Sequence, residues 1–128
     1  MKRPLLLDTD VWIDYLRGCP EAVRYVNAQA ESIILSAVAA AELYAGVRDD
    51  DDLARLDEFL SQFPTVPITT EIARAAGLFK RDYHRSHGVG LADAIIAATA
   101  EAHGAELKTL NIKHYPMLKG LKPPYVKK

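Results

Sequence analysis

Short apolar runs alternate with longer amphipathic segments along this chain, and the alternation predicts a protein of mixed strands and helices. Four runs are apolar and bounded by turn-forming or polar residues, which is typical of short buried strands. The segments between them carry apolar residues three and four positions apart, the spacing of a helix with one buried face. The predicted strands cover 5–7, 32–35, 66–68 and 106–109, and the predicted helices cover 11–17, 20–30, 37–46, 49–61, 70–87 and 91–103.

The order of these elements indicates the fold class. Short strands that alternate with helices favour a parallel sheet covered on both faces. We therefore predict an α/β protein, with three α/β/α layers and a short central parallel sheet flanked by helices. The chain of 128 residues is long enough for one such domain. We assign residues 1–128 to a single domain and 119–128 to a basic, proline-rich tail across its surface.

Composition and charge limit the possible class of this protein and its expected location in the cell. Apolar residues make up 49% of the chain, so a substantial core is available. The formal net charge of −1 gives no general attraction for nucleic acid, and any RNA-binding surface must arise from local clustering. Cys19 is the single cysteine, and no apolar run approaches the ~20 residues of a membrane span. We expect a cytoplasmic protein with no membrane-spanning segment.

Three carboxylates stand on otherwise apolar elements. Asp8 ends the first strand, and ligands of open parallel sheets bind at the carboxyl ends of strands. Glu42 and Asp93 lie on alanine-rich helices among apolar same-face neighbours, so we predict that both face the core. A buried carboxylate must be paired, hydrogen-bonded or protonated. If the three converge, a hard cation such as Mg²⁺ or Mn²⁺ would offset their repulsion.

Each acid also has a simpler explanation when it is taken alone. Asp93 is suited to capping its helix or to pairing with an arginine. The aspartates at 49–52 are best explained as a helix cap and a solvated face. Asp10 is compatible either with assisting the site or with simple exposure. The metal-site prediction therefore depends on the recurrence of three acids rather than on any one of them.

Four segments of the chain, in order, resemble the motifs of PIN domains, particularly those of the VapC-type toxins of bacterial toxin–antitoxin pairs. The segments are 6–18 (LLDTDVWIDYLRG), 36–47 (SAVAAAELYAGV), 91–100 (LADAIIAATA) and 109–115 (TLNIKHY). This resemblance implies a compact α/β/α fold with an acidic pocket that binds Mg²⁺ or Mn²⁺. It also implies endoribonuclease activity restrained by a VapB-like antitoxin, and a homodimer.

The resemblance also assigns roles to individual residues. It implies hydrolysis of RNA phosphodiester bonds with metal binding and catalysis by three acids, Asp8, Glu42 and Asp93. Thr9 is expected to orient Asp8 through its hydroxyl group. Asn111 takes the fourth catalytic position, where fully acidic relatives carry a carboxylate, so the presence of a second metal stays open. His114 stands where many relatives carry another acid.

Basic residues on the long helix before Gly88 are candidates for RNA contact. Arg74, Arg81 and Arg85 fall at i, i+7 and i+11 and so share one helix face. A basic strip beside an acidic pocket would steer a phosphate backbone toward it, although a solvated helix face explains the same residues equally well.

The position of the antitoxin is also predicted by the resemblance. We expect the helices around 12–25 and 48–60 to form its groove. Contacts are expected at Trp12, Leu16 and Leu56.

Two other functions remain as alternatives. The segment 5–10 also fits the start of haloacid-dehalogenase phosphatases, in which an apolar strand precedes Asp-x-Asp and the first acid is a nucleophile. That interpretation requires a closely spaced acidic pair after a late strand, and 109–111 does not supply one. The non-enzyme alternative is a PIN-fold RNA-binding module with weak catalysis, which the uncharged Asn111 favours.

Overall fold

A short parallel sheet forms the centre of the fold. The computed structural model describes residues 3–127, so the ends of the predicted domain, residues 1–2 and 128, lie outside the described residues. All strand pairs are parallel, which confirms the α/β prediction. Within this range the sheet has the order β3-β2-β1-β4, formed by β1 (Leu5–Leu7), β2 (Ile33–Ser36), β3 (Thr65–Val66) and β4 (Glu106–Lys108).

Side-chain caps mark the starts of several helices, although the first begins at Thr9, two residues before its predicted start. The Ser36 Oγ accepts a hydrogen bond from the Ala39 N–H at 3.0 Å, and the Asp49 carboxylate accepts one from the Asp52 N–H at 2.8 Å. The second bond confirms that the acidic run is a helix cap. None of the helices between residues 3 and 127 combines the length and apolarity needed to cross a bilayer. The helices are α1 (Thr9–Leu16), α2 (Pro20–Gln29), α3 (Ala37–Ala45), α4 (Asp50–Leu60), α5 (Thr70–His87) and α6 (Leu91–Ala102).

The boundaries of the second, third and fourth strands differ from the sequence predictions, and the second is shifted by one residue, to Ile33–Ser36. The third strand was expected over 66–68 but ends at Val66, and Ile68 is 43% exposed. Pro67 explains the early end, because a proline has no N–H to donate to a neighbouring strand. The fourth strand ends at Lys108 rather than at 109. This leaves Thr109 buried directly after the strand, at the same edge of the sheet as Asp8.

The sheet separates two apolar layers. Leu5 and Leu7 pack into a cluster built around the buried Trp12 and shared by α1 to α4. Leu6 packs on the opposite side, in a cluster with Ile96 of α6. The alternation follows from strand geometry, since successive side chains point to opposite faces. This arrangement confirms the prediction of three layers.

The segment after β4 connects the two layers. It makes a single 3-10 turn at Ile112–His114 and continues as an irregular tail. Leu118 packs against the α6 side, and Tyr125 packs against the α1 side. The Tyr125 hydroxyl donates a hydrogen bond to Asp14 at 2.9 Å. The basic tail is therefore fixed to α1 by a specific contact.

Candidate active site

Asp8 is held rigidly at the carboxyl end of β1. Its side chain is buried, and its Oδ1 accepts a hydrogen bond from the Thr9 N–H at 2.8 Å. Its Oδ2 accepts hydrogen bonds from the Thr109 hydroxyl at 2.8 Å and from the Tyr115 hydroxyl at 2.9 Å. Donors from both ends of the chain thus fix the position of this carboxylate, and hydrogen bonds of this kind stabilise its charge.

Asp93 faces Asp8 across the Tyr115 hydroxyl. It lies in the first turn of α6 and is not the helix cap, a position that Gly90 takes. The Tyr115 Oη lies 3.3 Å from the Asp93 Oδ1, and the His114 Nδ1 lies 3.7 Å from the Asp93 Oδ2. Burial raises the pKa of Asp93, and the charge of Asp8 adds to this, while the Tyr115 hydroxyl and His114 oppose it. The structure therefore brings two of the predicted acids together.

Glu42 lies at the rim of this pair and is exposed on α3, so the prediction that it faces the core is wrong. The helix buries Ala39 and Leu43, which are one turn apart, and its other alanines do not mark a buried face. The Glu42 Oε1 accepts a hydrogen bond from the Thr9 hydroxyl at 2.6 Å. Thr9 therefore orients Glu42 with its hydroxyl, not Asp8 as expected. The Glu42 charge also contributes to the raised pKa of Asp93.

Asn111 contacts Asp10 rather than the Asp8–Asp93 pair. The Asp10 Oδ2 accepts hydrogen bonds from the Asn111 Nδ2 at 2.9 Å and from the Leu110 N–H at 3.0 Å. Burial, and then the charge of Asp8, raise the pKa of Asp10 to about 6. Its Oδ1 is buried with no hydrogen-bond partner among the described residues. Asp10 thus ties the segment after β4 to α1.

The basic residues of α5 lie at different distances along the helix from its carboxyl end, which leads into α6. The carboxyl end of α5 is joined to α6 through 88–90, so Arg85 lies near the turn that carries Asp93. Arg81 lies one turn before Arg85 and pairs with Asp82 at 2.9 Å. Arg74 is about 16 Å from Arg85 along the helix axis, on the rise of ~1.5 Å per residue. The structure therefore separates Arg74 from the other two arginines.

The acidic pair is suited to a divalent cation. Within residues 3–127, no three histidine, cysteine, aspartate or glutamate side chains are arranged to hold a metal ion, so the three acids do not form a complete ligand set. Mg²⁺, however, is usually bound by one or two protein carboxylates, with water or substrate phosphate completing its coordination. Asp8 and Asp93 fit this pattern, because both carboxylates are directed at one hydroxyl group.

Sequence reasoning assigned no role to Thr109 or Tyr115. Thr109 directly follows β4, as Asp8 directly follows the adjacent β1, and this parallel could have identified it. Residues that follow neighbouring parallel strands meet at the same edge of the sheet. For Tyr115 the sequence holds no comparable signal, because its burial depends on the path of the segment after β4.

A groove of about 740 Å³ opens beside Glu42, between α1 and the α3–α4 pair. Its location agrees with the predicted antitoxin groove for α1 and α4 but not for α2, which contributes no lining residue. The predicted contact at Trp12 is wrong, because this side chain is 0% exposed and belongs to the core. The apolar lining residues are Ile13, Leu16, Leu43, Val47 and Leu56, and the charged ones are Arg17, Glu42, Arg48, Asp52 and Arg55.

Known proteins share the sequence pattern and the fold of this chain. The family model described as PIN domain matches residues 5–115. Ribonuclease VapC10 of Mycobacterium tuberculosis is 42% identical over 126 residues, which cover 94% of this chain and 92% of that protein. Ribonuclease VapC19 of the same organism is 41% identical over 125 residues, covering 94% and 98%.

A solved structure is similar to this chain in its fold. A toxin–antitoxin complex from Klebsiella pneumoniae contains a chain with a TM-score of 0.79 and 30% identity, covering 94% of this chain and 98% of that one. These matches leave the haloacid-dehalogenase alternative without support. The chain belongs to the PIN-domain family, in the branch that includes the VapC ribonucleases.

Proposed function

We propose that this chain is a metal-dependent endoribonuclease that hydrolyses RNA phosphodiester bonds and acts as the toxin of a toxin–antitoxin pair in the cytoplasm. The ribonuclease activity is supported by the identity of 41–42% with two VapC ribonucleases. The metal dependence is supported by one observation above all, the pair of carboxylates of Asp8 and Asp93 held around a single hydroxyl. Asn111 does not weaken this proposal, because it binds Asp10 and not the pair.

In the proposed mechanism, Asp8 and Asp93 would hold a Mg²⁺ or Mn²⁺ ion, and Glu42 would add a third carboxylate at the rim. Such an ion, when bound, lowers the pKa of a coordinated water and neutralises charge that develops on the phosphate. The Thr9 N–H and the Thr109 hydroxyl keep the Asp8 carboxylate in one orientation. The Thr9 hydroxyl fixes Glu42 at the rim, where it can hold a water molecule beside the bound phosphate.

The RNA backbone is proposed to approach along the carboxyl end of α5. Arg81 and Arg85 are exposed there, and α6 begins with the turn that carries Asp93. Cationic side chains at this position would compensate the charge of a phosphate backbone that enters an acidic pocket. Arg74 has a smaller role in this proposal, because it lies toward the other end of α5.

Removal of divalent metal is expected to stop RNA cleavage. Among the described residues, neither Asp8 nor Asp93 forms an ion pair with a lysine or an arginine, so the acidic pair depends on an added cation for charge compensation. The purified chain should cleave a structured RNA in Mn²⁺, lose this activity in EDTA and regain it when Mn²⁺ is added in excess. The same addition should raise the melting temperature. Undiminished cleavage in EDTA would contradict the proposed metal dependence.

The proposed antitoxin partner fits the groove beside Glu42. The matched Klebsiella pneumoniae chain comes from a toxin–antitoxin complex, which supports a partner of this type. The groove is lined by both apolar and charged side chains, a combination that protein interfaces share. Leu16 is 46% exposed at this groove and is thus available for contact. A homodimer stays a prediction from the family resemblance.

Leu16→Glu is expected to weaken antitoxin binding by about 10- to 100-fold, the effect of losing a central apolar contact. Binding would be measured by titration calorimetry with a candidate antitoxin. Ile68→Glu is the matched control, because Ile68 is 43% exposed and lies outside the residues that line the groove. Equal affinity of the Leu16→Glu and Ile68→Glu variants would argue against this groove.

A further inference from the structure

The buried hydroxyl group of Tyr115 lies between two carboxylates, the buried Asp8 and the half-buried Asp93. Tyr115 is 1% exposed, and its ring packs with Leu6 and Leu107 in the cluster on the α6 side of the sheet. The ring is therefore fixed by packing, and its hydroxyl has a defined position. Burial removes hydration from the hydroxyl and from Asp8, and the hydrogen bond between them offsets that cost.

The geometry shows that the hydroxyl connects Asp8 to Asp93. Its distance is 2.9 Å to the Asp8 Oδ2 and 3.3 Å to the Asp93 Oδ1. Asp8 has two further donors, the Thr9 N–H and the Thr109 hydroxyl, which hold it without Tyr115. The described contacts of Asp93 are fewer, namely the Tyr115 hydroxyl and His114 at 3.7 Å. Among the described residues, Tyr115 is thus the one side chain that contacts both carboxylates.

The segment that carries Tyr115 is itself anchored. Asp10 accepts hydrogen bonds from the Leu110 N–H and from Asn111, and the Thr109 hydroxyl accepts one from the Asn111 N–H at 3.0 Å. The Tyr115 N–H donates to the Ile112 carbonyl at 3.0 Å and closes the 3-10 turn. These contacts hold the segment that carries Tyr115 against α1.

We infer that Tyr115 is a positioning residue of the nuclease site, which sets the spacing of Asp8 and Asp93 for a divalent cation. This inference rests on the proposed function. Groups that hydrogen-bond to metal ligands determine the orientation of those ligands, and their loss typically lowers metal affinity by about 10- to 100-fold. The Tyr115 hydroxyl donates its one hydrogen to Asp8 at 2.9 Å and lies within hydrogen-bond distance of Asp93 at 3.3 Å, so it contacts both proposed ligands. In this proposal, Tyr115 contacts neither RNA nor the metal itself.

Tyr115→Phe tests the inference, because it removes the hydroxyl and keeps the buried ring. Mn²⁺ affinity would be measured by titration calorimetry at a temperature well below the melting temperature of each variant, and folding would be checked by circular dichroism. Tyr125→Phe is the matched control, since it also removes a tyrosine–aspartate hydrogen bond of 2.9 Å. That bond is made to Asp14 of α1, which is not part of the Asp8–Asp93 pair.

The expected result is a loss of Mn²⁺ affinity of about 10- to 100-fold for Tyr115→Phe and less than about twofold for Tyr125→Phe. At saturating Mn²⁺, Tyr115→Phe should also lower kcat for RNA while leaving KM nearly unchanged. Mn²⁺ binding by Tyr115→Phe at the wild-type affinity would overturn this inference alone. A wild-type chain that does not bind Mn²⁺ would overturn both the inference and the proposed metal dependence.

Discussion

Asp8→Asn is expected to reduce RNA cleavage in Mn²⁺ by about 10³-fold or more, since it removes the charge at the centre of the proposed site. The side chain is 6% exposed and accepts hydrogen bonds from three donors, so its position cannot be taken over by a neighbouring acid. The asparagine has nearly the same shape, and the fold should be retained. Cleavage rates would be measured with a labelled structured RNA under single-turnover conditions.

The control for this variant is Asp51→Asn, which removes one charge from the exposed first turn of α4. It should cleave RNA at the wild-type rate. If Asp8→Asn and the wild type cleave equally, the activity comes from a contaminating nuclease and the proposed site is wrong. A difference that appears in Asp8→Asn alone assigns the activity to this carboxylate.

Trp12→Ala is expected to reduce the free energy of unfolding by about 3–5 kcal/mol, the usual cost of truncating a large buried aromatic side chain. Trp12 is 0% exposed and makes edge-to-face contacts with Phe59 and Phe63 at ring distances of 5.8 and 4.9 Å. Such a loss is a large part of the ~5–15 kcal/mol margin of a typical domain. Urea unfolding followed by circular dichroism would measure it.

Two comparisons make the Trp12 prediction specific. Leu53→Ala, at a side chain that is 40% exposed on α4, should change stability by no more than about 0.5 kcal/mol. Trp12→Phe should cost less than Trp12→Ala, because it keeps an aromatic ring in the cluster. It also removes an indole N–H that is buried without a hydrogen-bond partner among the described residues. A cost below about 1 kcal/mol for Trp12→Ala would contradict the central place of this residue in the core.

The elements that were predicted well have local causes. The strand at 5–7 is apolar throughout and buried on both faces, and the helix predicted over 91–103 has a long apolar stretch that the structure buries from Ile96 to Ala100. Caps such as Ser36 and stops such as Gly88 act within one turn of the backbone and can be identified from the sequence. The error at the third strand came from neglecting Pro67, which is also a local signal.

The site was harder to predict because its contacts join distant parts of the chain. Alanine is a poor indicator of burial, and so Glu42 was placed on the wrong face of α3. The Thr9 hydroxyl binds Glu42 and not Asp8 because of the way α1 and α3 pack. No local sequence pattern encodes that packing. Tyr115 reaches Asp8 across 107 positions of sequence, and only the path of the chain after β4 brings them together.

The pairing of β1 with β4 has a consequence for how the protein is made. Asp8, Glu42 and Asp93 are all synthesised before β4, but the partners that fix the first and third of these acids come from Thr109 and Tyr115. A fragment produced by early termination or by proteolytic cleavage before β4 carries every acid and still lacks their support. We expect such a fragment to lack the fixed geometry of the acidic pair and, with it, the proposed nuclease activity.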